Sequence, residues 1–170
     1  MKKKLRNIYF KNVVLEILGI TLILYGLNRL IYFVSIRQFE KKIGRKFNNV
    51  EDFLDQLSYD DMANIIMSQA LIGFLGLLVV SGFLIFIRFK TKSFYLRSIV
   101  IFIFILIMYP FFIHRGIIND GLYYVSRIWE TNFQSMPLIS FIIFTSCGST
   151  IIWKTINDIE VTTHNNAYEQ

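Results

Sequence analysis

The sequence contains very few of the residues from which catalytic and metal sites are built. Its 170 residues include one cysteine and two histidines, whereas a zinc site needs three or four ligands of the right type and spacing. His114 follows an apolar segment and His164 lies near the C-terminus, so the two histidines belong to separate parts of the chain. No glycine-rich phosphate-binding loop is present. We therefore predict a protein that is not an enzyme and that holds no metal or cofactor.

Charged residues are scarce as well. They make up 18% of the chain, against roughly a quarter in soluble domains. No aspartate occurs in the long apolar segments, which excludes the paired carboxylates of a membrane aspartyl protease. Cys147, the only cysteine, stands inside an apolar segment, so an intrachain disulfide is excluded.

Long hydrophobic segments are what the chain does contain. Four of them, at about 12–36, 66–87, 95–113 and 137–156, have the length at which a helix crosses the hydrocarbon core of a bilayer. They predict an all-α polytopic membrane protein, a single domain over residues 1–170 with four transmembrane helices. The first segment is too long for a cleaved signal peptide, so we interpret it as a retained signal anchor.

Lysines and arginines set the predicted orientation. The net charge is +6, and the basic residues cluster before the first apolar segment and between the second and third. Such residues flank membrane spans on the cytoplasmic side and attract anionic lipid, so we do not expect direct nucleic acid binding. We predict that both termini are cytoplasmic. The abundance of Ile, Phe, Lys and Asn suits an AT-rich bacterial gene, and hence the bacterial inner (cytoplasmic) membrane.

Short amphipathic helices are predicted in both outer loops. In loop 37–58, four apolar residues repeat at helical spacing after Asn49, a residue suited to the N-cap. This helix would lie either on the membrane or on the bundle. The four residues are Val50, Phe53, Leu54 and Leu57.

Two further signals bound the loops. Ser58 and Asp61 resemble a capping box that begins the second span outside the bilayer. In loop 114–135, Asn-Asp-Gly at 119–121 predicts a turn, and a second interfacial helix anchored by Trp129 follows it.

Glycines and polar residues on the first two spans form candidate packing faces. One side of the first span carries Glu16, Gly19, Gly26 and Arg29. One face of the second span carries Gln69, Gly73 and Gly76, and continues through Val80 and Phe83. Glycine allows another backbone to approach closely, so both faces predict helix packing or pore lining.

The charged pair on the first span has two interpretations. Glu16 and Arg29 are roughly 20 Å apart along the axis, too far to pair within one helix. Either each side chain reaches water at its own end of the span, or both face the bundle. In the second case they pair with a neighbouring subunit or gate an aqueous path.

The fourth span carries a belt of small residues, 145–150, at its centre. It includes Thr145, Ser146, Gly148 and Ser149. Hydroxyl side chains in a membrane helix can bond back to a carbonyl one turn earlier, so they require no ligand. We interpret the belt as a surface for tight helix packing, and the lining of a water-filled path in an oligomer as the alternative.

These features favour a non-enzymatic membrane protein that oligomerises and acts as a sensor or anchor. The expected partners are the lipid bilayer, further copies of the chain and a cytoplasmic protein. An oligomeric pore or channel is the first alternative, and an accessory subunit of a transporter is the second.

The span pattern also resembles the membrane subunit of Kiwa-type antiphage defence systems. Four spans in a chain of 170 residues, with both termini inside and helical outer loops, carry this resemblance over most of the sequence. It implies a homotetramer that senses phage attachment and recruits a cytoplasmic DNA-binding partner. The resemblance rests on architecture and on no short motif, so no functional residue carries over.

Overall fold

The computed structural model describes residues 2–90, 103, 107, 117–129 and 133–167. Within these residues the chain folds into helices and contains no strand. A 3₁₀ turn is present at Arg127–Trp129. The α-helices are α1 (Lys2–Ile43), α2 (Val50–Leu54), α3 (Tyr59–Lys90), α4 (Ile117–Ser126) and α5 (Met136–Ala167).

Three of the described helices are long and apolar enough to cross a membrane. Their apolar parts contain 30, 28 and 21 residues, and about 20 residues suffice to span the hydrocarbon core. They are Val14–Ile43, Tyr59–Phe86 and Met136–Ile156. The chain is therefore an integral membrane protein, and three predicted spans are confirmed. The segment predicted as a span at 95–113 lies outside the described residues, apart from Ile103 and Ile107.

α1 extends further than the sequence predicted. We expected a loop from residue 37, but the helix continues to Ile43. Arg37 Nη1 donates a hydrogen bond to Glu40 Oε2 at 3.0 Å, one turn ahead, which supports the added helical turns. The helix ends at Gly44, whose φ of 79° is readily adopted only by glycine and whose N–H donates to the Glu40 carbonyl at 2.9 Å.

α3 begins at the predicted capping box, whereas α5 ends later than predicted. At the start of α3, Asp61 N donates to Ser58 Oγ at 3.2 Å and Ser58 N donates to Asp61 Oδ2 at 3.3 Å, so both bonds of the predicted capping box are present. α5 continues to Ala167, beyond the predicted end at 156. Residues 157–167 contain neither proline nor glycine, so no helix breaker stops it.

α1 lies at the centre of the bundle and runs antiparallel to both α3 and α5. Gly19 lies against Gly148 while Gly26, two turns later, lies against Thr145, which fixes the direction of α5. On the other side of α1, Gly76 of α3 lies against Leu27. The apolar core between the three helices consists of Ile20, Leu24, Leu77, Leu84 and Ile152.

The two short helices lie within the predicted loop regions. α2 begins after Asn49, whose side-chain oxygen accepts a hydrogen bond from Asp52 N at 2.7 Å. The turn predicted at 119–121 is wrong, because these residues belong to α4. Asp120 falls in the first turn of α4, where the helix dipole favours an acidic side chain. The same residue type is common in turns, so its signal was ambiguous.

Candidate functional site

The glycines predicted on the first and fourth spans meet each other. A Cβ atom built on Gly148 would lie 2.6 Å from the Gly19 carbonyl oxygen, and one on Gly26 would lie 2.8 Å from Thr145 Cγ2. The two backbones can approach this closely only because the positions lack side chains. Gly19, Gly26, Thr145 and Gly148 are called the glycine seam below. The structure forms this seam between α1 and α5 of one chain.

Only part of the belt takes part in the seam. Thr145 Oγ1 donates to the Phe141 carbonyl at 2.6 Å, and Thr150 Oγ1 to the Ser146 carbonyl at 2.8 Å, so these hydroxyls are satisfied within the helix. The belt residues that do not belong to the glycine seam are exposed on one side of α5, in the middle of its span. They are called the exposed belt stripe. They are Ser146, Cys147, Ser149 and Thr150.

The predicted face of the second span is present with one shift. Gly73 is buried, and a Cβ atom on Gly76 would lie 2.7 Å from Leu27 Cδ1 of α1. Phe83, predicted on this face, is 62% exposed, whereas Leu84 is 7% exposed. The prediction used a spacing of 3.5 residues, which drifts by about 20° per heptad against a helix of 3.6 residues per turn. That drift moves the buried face from Phe83 to Leu84.

The two charged residues of the first span have different surroundings. Glu16 is buried, with 3% of its surface exposed. Arg29 is partly buried and turns toward the bundle, where Cζ lies 4.9 Å from the centre of the Tyr25 ring and 5.0 Å from that of Tyr123. Arg29 Nε donates to the Tyr25 hydroxyl at 2.8 Å, and Nη2 donates to the same oxygen. Within the described residues, Arg29 has no carboxylate partner.

A pocket of about 190 Å³ opens beside Arg29. Asn28 is 8% exposed, and its Oδ1 atom has no hydrogen-bond partner in the part of the chain that the structure describes. A buried amide oxygen without a partner costs about 1–3 kcal/mol, so this atom is an acceptor that a bound group could satisfy. α1, α3 and α4 all contribute to the lining, which consists of Tyr25, Asn28, Arg29, Tyr32, Gln69 and Asn119.

The pocket lies close to one end of the membrane-crossing part of the bundle. The contact of Gly26 with Thr145 sets the register, so Arg29 is level with about Ser140, one turn inside the Met136–Ile156 span. Trp129 Nε1 donates to Ser140 Oγ at 3.0 Å, which holds the end of the α4 region at the same level. One helical turn is roughly 5 Å, so the pocket lies about that far inside the end of the apolar span of α5.

Beyond the pocket, three separate parts of the chain close the end of the bundle. They are the end of α1, the segment 44–57 that contains α2, and residues 133–135; together they are called the platform. Glu40 lies at the centre of the platform, and 8% of its surface is exposed. Its Oε1 atom accepts hydrogen bonds from Phe47 N at 3.2 Å and from Gln134 Nε2 at 3.1 Å. Gln134 Nε2 also donates to the Phe47 carbonyl at 3.2 Å.

An aromatic cluster fills the platform. Phe53 of α2 is fully buried, so the apolar side of α2 packs on the bundle at this residue, and Val50 and Leu54 remain exposed. Four rings have centres 5.2–6.2 Å from that of Phe53, and they belong to Tyr32, Phe39, Phe47 and Phe133. Aromatic pairs at these distances prefer edge-to-face geometry, which most of the four pairs adopt.

The sequence analysis singled out Arg29 and Gln69 of the pocket, but it missed Asn28 there and Glu40 in the platform. Asn28 had a usable signal, because an amide inside an apolar span requires a partner. Glu40 had none, since Phe47 and Gln134 are 7 and 94 residues away in sequence. No local pattern reports such contacts.

In the part of the chain described, no group of three or more His, Cys, Asp or Glu side chains could hold a metal ion. Comparison with protein-family models, with curated proteins and with solved structures found no match for this chain.

Proposed function

We propose that the protein is a non-enzymatic membrane sensor or anchor that oligomerises, presents the platform on the outer side of the membrane and recruits a partner protein in the cytoplasm. The platform carries this proposal. Glu40 and the Phe53 cluster tie three distant segments into one surface on top of membrane-crossing helices. Loops held on a rigid scaffold in this way are the usual location of binding sites.

We also propose a fourth span at about 95–113. Leu84, near the end of α3, packs with Ile20 at the end of the bundle remote from the platform. α4, in contrast, contacts Arg29 near the platform through Tyr123. The chain leaves α3 at one end and enters α4 at the other, which supports a crossing between them.

The proposed orientation puts both termini in the cytoplasm of a bacterium and the platform outside the inner membrane. The basic N-terminal residues Lys2, Lys3, Lys4 and Arg6 support it, because lysine and arginine are enriched on the cytoplasmic side. The positive charge of these residues favours attraction of a cytoplasmic protein or anionic lipid.

The partner proposal is tested by in-cell cross-linking followed by quantitative mass spectrometry. Replacing Lys2, Lys3 and Lys4 by glutamine should abolish enrichment of a cytoplasmic protein. The matched control replaces three exposed lysines of the platform end, Lys41, Lys42 and Lys46, and should leave that enrichment unchanged. The proposal would be contradicted if the two variants and membranes that lack the protein all enriched the same cytoplasmic proteins to the same extent.

An oligomeric pore is the second candidate, and the exposed belt stripe favours it. Gly19 and Gly26 are covered by α5 of the same chain, so a water-filled path would be lined by Ser146, Ser149 and Thr150 instead. Single-channel recording in planar bilayers distinguishes the two functions. Unitary conductance that changes on Ser149→Leu would establish a pore and displace the sensor proposal.

The resemblance to Kiwa-type membrane subunits makes antiphage defence the proposed setting. Cells that carry this gene with its neighbouring genes should plate phage with lower efficiency than cells in which this gene alone is deleted. Equal plating across a diverse phage panel would remove the defence setting and leave the membrane sensor without it.

A further inference from the structure

We propose that the pocket beside Arg29 binds the phosphate of an anionic glycerophospholipid head group. The lipid would be recognised by the Arg29 guanidinium and the Asn28 side-chain oxygen. This site is independent of the partner and of the orientation proposed above.

Charge is the first observation that supports a phosphate. Arg29 is partly buried about one turn inside the α5 span, and no acidic side chain among the described residues pairs with it. The rings of Tyr25 and Tyr123 stabilise the guanidinium but contribute no net negative charge. A cation in such a place requires an anion or water, and a lipid phosphate is the anion available at this depth.

Hydrogen-bonding capacity is the second observation. Guanidinium has five N–H groups, and the Tyr25 hydroxyl takes two of them, from Nε and Nη2. The remaining N–H groups lie at the other edge, and a planar pair of donors matches phosphate oxygens. Asn28 Oδ1 supplies the complementary acceptor, which suits a hydroxyl or ammonium group on the alcohol of the head group.

Size and position distinguish a lipid from a larger soluble ligand. The pocket volume of about 190 Å³ is below the roughly 300–1,000 Å³ of sites for drug-sized molecules, but it is many times the space that one water requires. It opens one turn inside the α5 span. Next to Gln69, α3 exposes Ile66, Met67 and Ile72, along which acyl chains could extend.

Native mass spectrometry of the full chain in nanodiscs tests the site. Discs of phosphatidylcholine that contain phosphatidylglycerol as the minor, anionic component provide the lipid. We expect wild-type protein to retain phosphatidylglycerol in preference to phosphatidylcholine. Arg29→Gln should reduce that retention by about tenfold or more, the effect of losing a charge-assisted hydrogen bond. Arg29→Lys, which keeps the charge, should retain an intermediate amount.

Two further variants separate binding from folding. Arg45→Gln removes an exposed arginine that pairs with Asp52 on the surface, and lipid retention should not change. Asn28→Asp keeps the side-chain shape but repels phosphate, so it should lose phosphatidylglycerol while the helical circular dichroism stays the same.

Soluble phosphate is tested in discs of phosphatidylcholine alone. Binding of glycerol phosphate or inorganic phosphate at the pocket, without any preference for phosphatidylglycerol, would overturn the lipid assignment. Equal phosphatidylglycerol retention by wild type and Arg29→Gln would overturn the site itself.

Discussion

At the scale of single residues, Gly148 and the Gly19 carbonyl oxygen form a close contact between the backbones of α5 and α1. Gly148→Ala should destabilise the protein by about 1–3 kcal/mol, because a Cβ atom at 2.6 Å from backbone forces α1 and α5 apart. The thermal unfolding midpoint in detergent measures this. Gly82→Ala is the matched control, since a Cβ atom there meets nothing within 4 Å, and it should unfold at the wild-type temperature or slightly higher. Equal destabilisation by both would contradict the seam.

Glu40 carries the second prediction at this scale. Glu40→Ala leaves the buried Phe47 N–H without its acceptor, at about 1–3 kcal/mol, and it removes one of the hydrogen bonds that Gln134 Nε2 makes in the platform. We expect the platform to open, which limited proteolysis within 44–57 would detect. Glu51→Ala removes an exposed carboxylate of the same platform and should stay within about 0.5 kcal/mol of wild type. Unchanged cleavage in Glu40→Ala would show that the aromatic cluster alone holds the surface.

At the scale of elements, Trp129, at the end of the 3₁₀ turn that follows α4, connects this region to α5. Trp129 Nε1 bonds to the buried Ser140 hydroxyl, and its ring lies 5.6 Å from that of Phe144. Trp129→Phe removes the hydrogen bond, worth about 0.5–1.5 kcal/mol. Amide hydrogen exchange across 117–129 should therefore accelerate several-fold. Trp153→Phe alters an exposed tryptophan and should leave this exchange unchanged; acceleration in both would point to a general loss of stability.

Elements were more predictable from sequence than their ends. Hydrophobic length alone indicated the spans that contain α1, α3 and α5, and Ser58 with Asp61 marked where α3 begins. The predicted ends of α1 and α5 come too early, because a polar segment does not by itself end a helix. Charged residues such as Arg37 and Glu40 continue a helix well when no proline or glycine intervenes, and the sequence fixes that end only at Gly44.

At the scale of the whole molecule, the exposed belt stripe predicts contact between copies. Cys147 is the only cysteine and is exposed there, so oxidation in native membranes should join two chains through Cys147. The disulfide-linked dimer is measured by electrophoresis without reductant. In the control, Cys147→Ser is combined with Val79→Cys, which moves the thiol to an exposed position on α3 and should give little dimer. No dimer from wild-type membranes would contradict an interface at the stripe.

The sequence could not show which helix faces are covered within one chain. The glycines of the first span and the belt of the fourth were both recognised as packing surfaces. Only three-dimensional structure showed Gly26 facing Thr145 while Ser149 remains exposed. The pocket has the same origin, since Arg29, Gln69 and Asn119 come from helices that are distant in sequence.

The hydrogen bond between Glu40 and Gln134 joins residues 94 positions apart, which constrains the order of biogenesis. A ribosome releases α1 and α2 long before Gln134 exists, so a nascent chain carries Glu40 without this donor until the last span begins to emerge. Copies that terminate early are left with a polar, unsealed end that quality-control proteases can recognise. Only a chain that has been synthesised beyond Gln134 can therefore display the finished surface.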